Sequence, residues 1–128
     1  MSGTHTRSPL GRALGLGSAK SGVEHWWLER VSAVALVPLT VWFAALIVVH
    51  ASDDYAAFIA WLKTPVSTVL MTFLLIALFH HAALGLQVVI EDYLHSWMKI
   101  AALIATRLGC VALAVAGILA NLKIAFGV

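Results

Sequence analysis

Three long apolar stretches, two of them without any charged side chain, constrain this chain more than any other feature. Residues 31–52 and 64–90 contain no Asp, Glu, Lys or Arg over 22 and 27 positions respectively. A third stretch, from about residue 97 to residue 126, joins uncharged runs of seven and 15 residues across Arg107. About 20 apolar residues suffice to cross a hydrocarbon core of about 30 Å as a helix. With 62% hydrophobic and 11% charged residues, the chain is too apolar for a water-soluble domain of this length.

We therefore predict an all-α membrane protein with three transmembrane helices, at about residues 28–51, 65–93 and 97–126. A polar, basic tail (residues 1–24) precedes this membrane domain (residues 25–128). Arg107 is expected to snorkel toward an interface or to meet an anionic partner. Pro65 is placed where a proline suits the first position of a helix, and Cys110 is unpaired because the chain has one cysteine.

The distribution of basic residues predicts the orientation of the chain. Four of them precede or begin the first span, namely Arg7, Arg12, Lys20 and Arg30, whereas the first loop combines Lys63 with Asp53 and Asp54. The positive-inside rule therefore places the N-terminus in the cytoplasm and the C-terminus outside. The tail has no apolar segment long enough for a secretory signal, but its Arg and Ser content also fits an organelle transit peptide.

The second span contains ionisable side chains in a segment that reads HHAALGLQVVIEDY. Such groups are costly inside a membrane and indicate a functional site. At about 100° per residue, the eleven steps from His81 to Asp92 bring both onto one helical stripe, which Gly85 shares. His80, together with Gln87 and Glu91, falls on a neighbouring stripe about 100° away.

His81 lies about 16 Å along the helix from Asp92, which places it near the bilayer midplane if Asp92 is at the interface. A neutral imidazole at this depth could ligate a haem iron, with Gly85 allowing a flat macrocycle to approach. Equally, His81 could form only a hydrogen bond between helices. His80 is expected to make polar contacts between helices or to touch a haem propionate. A second axial histidine would have to come from a neighbouring polypeptide.

Asp92 and Tyr93 place a carboxylate and a phenol where the apolar core meets the interface. Reduction of a quinone needs a hydrogen-bond donor at its carbonyl oxygen and a path for protons, and this pair offers both. The alternative is that Tyr93 belongs to the interfacial aromatic belt and that Asp92 ends the helix.

Three segments, GLGSAKSGVEHWWLERVSA, HHAALGLQVVIEDY and LANLKIAFGV, resemble the hydrophobic membrane anchor of bacterial succinate dehydrogenase, respiratory complex II, in its alphaproteobacterial form. The most specific element is a histidine followed eleven residues later by Asp-Tyr. The resemblance implies three transmembrane helices that share one haem b with a second three-helix anchor protein. It also implies docking to the iron-sulfur and flavoprotein subunits of the complex on the cytoplasmic side, in a bacterial inner membrane; a mitochondrial inner membrane is the alternative.

By this resemblance, His81 is the axial ligand of the haem iron, Tyr93 hydrogen-bonds the ubiquinone carbonyl and Asp92 assists proton delivery. The doubled histidine leaves His80 as an alternative ligand, although the eleven-residue spacing to Asp92 favours His81. Arg30 matches an arginine that contacts a haem propionate, although it could instead be a positive-inside anchor. The second anchor protein of the complex opens its first helix with a Ser-x-x-His-Arg type motif. That motif is absent here, which favours the hydrophobic membrane anchor over its partner.

The expected function is that of a membrane anchor that is not catalytic alone and passes electrons from the iron-sulfur subunit to quinone. The sequence has no dinucleotide fingerprint and no set of iron-sulfur cysteines, and its expected partners include lipid but no nucleic acid. Two alternatives remain, namely the anchor of a quinol:fumarate reductase and a small transporter or proton-relay protein without haem.

Overall fold

The computed structural model describes residues 20–128, which form four helices and no strand. We label them α1 (Lys20–Val49), α2 (Tyr55–Leu62), α3 (Pro65–Tyr93) and α4 (Ser96–Phe126). Three of these, α1, α3 and α4, are long and apolar enough to cross a membrane. The predicted all-α class with three candidate spans is therefore confirmed, whereas the expectations for residues 1–19, including Arg7, Arg12 and the question of a leader, lie outside the described residues.

The short helix α2 and the early start of α1 were not expected. The first helix begins at Lys20, eight residues before the expected position. Helix α2 has eight residues and starts where the Asp54 carboxylate accepts a hydrogen bond from the Ala57 N–H at 2.8 Å. Such an N-cap satisfies a backbone donor that has no partner within the helix. A search for membrane spans does not detect a helix of eight residues, because about 20 are needed to cross the bilayer.

Short connections precede and follow α3. Pro65 is its first residue, where the missing N–H has no cost. At the other end only Leu94 and His95 separate α3 from α4, and Ser96 has a φ of 65°. This left-handed conformation is uncommon for serine. It lets the chain reverse within a few residues of Tyr93, so the turn and the Asp92-Tyr93 pair belong to the same end of the helix layer.

The three long helices form a layer in which α3 is central. Helix α3 packs against both α1 and α4, and those two helices do not pack against each other. Among the side chains of residues 22–128 only six are buried, of which three are leucines and three are polar; they are Leu46, Leu74, Leu84, Ser32, Ser67 and Asn121. Small and polar residues at helix contacts are typical of membrane bundles, in which lipid is as apolar as leucine.

The contact between α3 and α4 depends on two residues of α4. A Cβ atom at Gly117 would lie 3.1 Å from the Leu75 side chain, so glycine allows the helices to approach closely. One helical turn further along, the buried Asn121 donates through Nδ2 to the Thr68 carbonyl at 3.0 Å and to Thr72 Oγ1 at 3.1 Å. These contacts fix how α4 lies along α3.

Candidate functional site

His81 is the half-buried histidine of the central helix, and its ring is held by α1. Its Nδ1 atom lies 3.0 Å from Ser32 Oγ, and Ser32 is only 7% exposed. The hydrogen bond joins residues 49 positions apart in the chain. It occupies one ring nitrogen and leaves Nε2 for another partner. An imidazole whose Nδ1 is engaged and whose Nε2 is free has the donor chemistry of an axial haem ligand, so the residues present fit this group.

His80 has different surroundings, although it is the neighbouring residue. It is exposed and borders two apolar cavities on the sides of α3. One cavity, of about 300 Å³, lies between α3 and α4 and is lined by Phe79, Leu84, Arg107 and Val111 among others. The other, of about 440 Å³, lies between α1 and α3 and is lined by Val31, Ser32, Leu39 and Phe73 among others. The structure thus places the two histidines on different faces of α3, as the stripe geometry predicted.

Space is open next to Gly85, one turn beyond His81. A Cβ atom built at Gly85 would meet no atom within 4 Å. The glycine is therefore not needed for packing within residues 20–128. A flat ligand bound by His81 could approach the backbone of α3 at this point.

Asp92 and Tyr93 are the last two residues of α3. Both are exposed, Tyr93 to 79%. They lie at the C-terminal end of α3 and do not approach His81, from which the helical rise separates them by about 16 Å. The structure thus has two separate candidate sites on one helix, one in the middle and one at the end. A carboxylate and a phenol at that end can accept and donate hydrogen bonds to an incoming ligand.

Two arginines lie beside uncharged partners. The Arg30 guanidinium carbon is 5.3 Å from the centre of the Trp26 ring, a cation–π arrangement one turn apart on α1. Arg107 donates to Gln87 Oε1 at 3.4 Å, and Gln87 Nε2 donates to Glu91 Oε1 at 2.9 Å. The first of these bonds is long and weak. A neutral amide therefore links Arg107 to the carboxylate of Glu91.

Sequence reasoning missed two residues that the structure brings to these sites. Ser32 was not singled out, although a hydroxyl two positions after Arg30 in an apolar span was a usable signal. Gln87 was placed on the stripe of His80, but its contact with Arg107 on the next helix was not anticipated. Both contacts join different helices, and helical spacing along one segment does not reveal such pairs.

Within residues 20–128, three membrane-length helices, with histidines in the middle of the central one and an acidic-phenolic pair at its end, define a transmembrane helical protein. Residues 4–120 match the model of one family, described as the succinate dehydrogenase/fumarate reductase transmembrane subunit. The chain belongs to this family, and the resemblance noted from the sequence is confirmed.

Several relatives carry the name of succinate dehydrogenase hydrophobic membrane anchor subunit. The protein of that name from Rickettsia bellii is 38% identical over 88 residues, which cover 69% of this chain and 70% of the relative. The one from Rickettsia conorii is 32% identical over 116 residues, covering 89% and 92%. The one from Paracoccus denitrificans is 31% identical over 97 residues, covering 76% and 75%.

Proposed function

We propose that this chain is the hydrophobic membrane anchor of a succinate:ubiquinone oxidoreductase and that it contributes ligands to a haem b and to ubiquinone. The proposal depends on one observation about His81, which lies in the middle of the central helix. Its Nδ1 atom is 3.0 Å from Ser32 Oγ of α1, which leaves Nε2 for another partner. The partners would be the second anchor protein, the iron-sulfur subunit, and the flavoprotein. The chain would not oxidise succinate, and it would complete a quinone site only within the complex.

The haem assignment gives each nearby residue a distinct task. His81 would bind the iron through Nε2, and a histidine of the second anchor protein would bind the opposite face. The open space at Gly85 would accommodate the edge of the macrocycle. Arg30, and less directly His80, would meet the propionates, because a guanidinium pairs well with a carboxylate. Bound haem supplies a one-electron redox centre within the membrane.

The quinone assignment uses the exposed end of α3. The Tyr93 hydroxyl would donate a hydrogen bond to a carbonyl oxygen of ubiquinone, and Asp92 would pass protons from water to the reduced ring. Reduction of one ubiquinone to ubiquinol takes up two protons, together with two electrons from the iron-sulfur subunit. Because both side chains are exposed in this chain, the walls that exclude water from the site would come from the partner proteins.

The direction of the reaction separates this proposal from its nearest alternative. The family includes both succinate dehydrogenase and fumarate reductase subunits, but the relatives from Rickettsia and Paracoccus are named for succinate dehydrogenase. We therefore favour succinate oxidation with quinone as the acceptor. We also place the protein in a bacterial inner membrane with a cytoplasmic N-terminus, because Lys20, Arg30 and Lys99 lie at that end and only Lys63 and Lys123 at the other.

The test is to co-express the four proteins of the complex, purify the assembly through a tag on this chain, and record a reduced-minus-oxidised spectrum. A b-type haem signal, together with succinate-dependent reduction of ubiquinone, is expected. A purified complex that lacks haem would contradict the haem assignment. Recovery of this chain without the other three proteins would instead favour a transporter or proton-relay protein.

A further inference from the structure

We propose that Ser32 is the positioning residue for His81, accepting a hydrogen bond from Nδ1–H and so presenting Nε2 to the haem iron. This inference rests on the proposed role of His81 as an axial ligand. It adds a residue of α1 to a site otherwise assigned to α3. It also assigns a direction to a hydrogen bond that the heavy atoms alone leave open in either sense.

The direction follows from the single proton that a serine hydroxyl carries. Ser32 Oγ lies 2.9 Å from the Glu29 carbonyl oxygen, one turn back along α1, and 3.0 Å from His81 Nδ1. A carbonyl oxygen can only accept, and serine has one hydroxyl proton to donate. With that proton donated to the Glu29 carbonyl, Ser32 Oγ accepts from His81 through a lone pair, and Nδ1 carries the proton. In a neutral imidazole this leaves the Nε2 lone pair free.

The surroundings of Ser32 favour donation from His81 Nδ1 to Ser32 Oγ over donation in the reverse direction. Ser32 is buried, with an exposed fraction of only 7%. In the apolar region that α1 crosses, no water is present to replace a missing hydrogen-bond partner. Bonding from serine to the carbonyl one turn back is common in membrane helices. It sets the position of the hydroxyl oxygen before any ligand binds. The orientation of the His81 ring therefore depends on how α1 packs against α3.

A hydrogen bond from the distal nitrogen of a ligating histidine makes the ring a stronger donor to the metal. Stronger donation favours ferric over ferrous iron, so removal of the acceptor should raise the reduction potential of the haem. It should also loosen the iron–histidine bond. Loss of such a supporting hydrogen bond typically weakens metal binding by about 10- to 100-fold.

The experiment compares four variants of this chain, each in the purified complex with its three partner proteins. Ser32→Ala removes the acceptor, and Ser32→Thr keeps a hydroxyl at the same position. Thr40→Ala is the matched control, because Thr40 lies on the same helix and bonds back to the Leu36 carbonyl at 2.6 Å but is exposed. His81→Ala tests the underlying ligand assignment. The readouts are the haem midpoint potential, the ferric electron paramagnetic resonance spectrum and the rate of haem transfer to apomyoglobin.

For Ser32→Ala we expect a higher midpoint potential, a shifted ferric spectrum and haem transfer faster by about tenfold or more. Ser32→Thr and Thr40→Ala should match the wild type. If Ser32→Ala also matched the wild type while His81→Ala lost the haem, the inference would be wrong and the ligand assignment would stand. If Ser32→Thr behaved like Ser32→Ala, shape rather than the hydroxyl would matter, which also overturns the inference. Haem retained by His81→Ala would overturn the proposed ligand itself.

Discussion

His80 and His81 are consecutive residues with opposite environments on α3. The His81 ring is half-buried and held by Ser32 of α1 through Nδ1 at 3.0 Å. The His80 ring is exposed and borders the apolar cavities on both sides of the helix. A rotation of about 100° per residue accounts for this division. The two histidines thus differ in exposure and in hydrogen bonding, and each can be tested separately.

His81→Ala should abolish the b-type haem signal of the complex, whereas His80→Ala should leave most of it. The reason is that His81, unlike His80, has a partner that holds one ring nitrogen and leaves the other free. The measurement is the reduced-minus-oxidised spectrum per complex. Equal losses in the two variants would show that the division into two faces does not decide ligation.

Gly85→Val should lower haem content, because the new side chain would fill the open space beside the ligand. Nothing in this chain lies within 4 Å of a Cβ at Gly85, so the substitution should cause no clash with the described residues. Gly109→Val is the matched control, since Gly109 is also helical and also has nothing within 4 Å. Haem content per complex is measured in both variants. Normal content in Gly85→Val would exclude a close approach of the macrocycle at this position.

Tyr93→Phe should slow ubiquinone reduction by about tenfold, the effect of losing one hydrogen bond to the substrate. Succinate oxidation with an artificial electron acceptor should continue at the normal rate, because this activity bypasses the quinone site. Tyr55→Phe provides the control, since Tyr55 is the other tyrosine, is exposed and begins α2. If Tyr93→Phe reduced quinone at the normal rate, Tyr93 would be a residue of the interfacial aromatic belt and not a quinone ligand.

Asn121→Leu should destabilise the packing of α4 against α3 by about 0.6 kcal/mol, the average for hydrogen bonds between membrane helices, and by no more than about 1.7 kcal/mol per bond. The buried amide donates to both Thr68 and Thr72. Thermal stability of the detergent-solubilised complex is compared for Asn121→Leu, Thr72→Val and the double variant. Strictly additive losses would mean that the bond to Thr72 contributes nothing.

The sequence was sufficient to predict what depends on one helix at a time. Uncharged runs identified the three spans, and helical rotation separated His80 from His81. What it could not provide were contacts between helices, such as Ser32 with His81 and Arg107 with Gln87, because these depend on how the helices pack. Helix α2 was missed for another reason, since eight residues are too few to span the bilayer. The early start of α1 lies in a polar segment where hydropathy carries no helical signal.

The single layer formed by α1, α3 and α4 couples this protein's abundance to that of its neighbours. Since α1 and α4 do not pack against each other and each of them packs against α3, both broad faces of the layer remain open for association. Any protein or ligand that binds the folded layer stabilises it by mass action, in proportion to the logarithm of its free concentration. For a chain that works within the proposed complex, an excess over its partners would remain in the less stable, unbound form. Stoichiometric supply of those partners would then lengthen its lifetime.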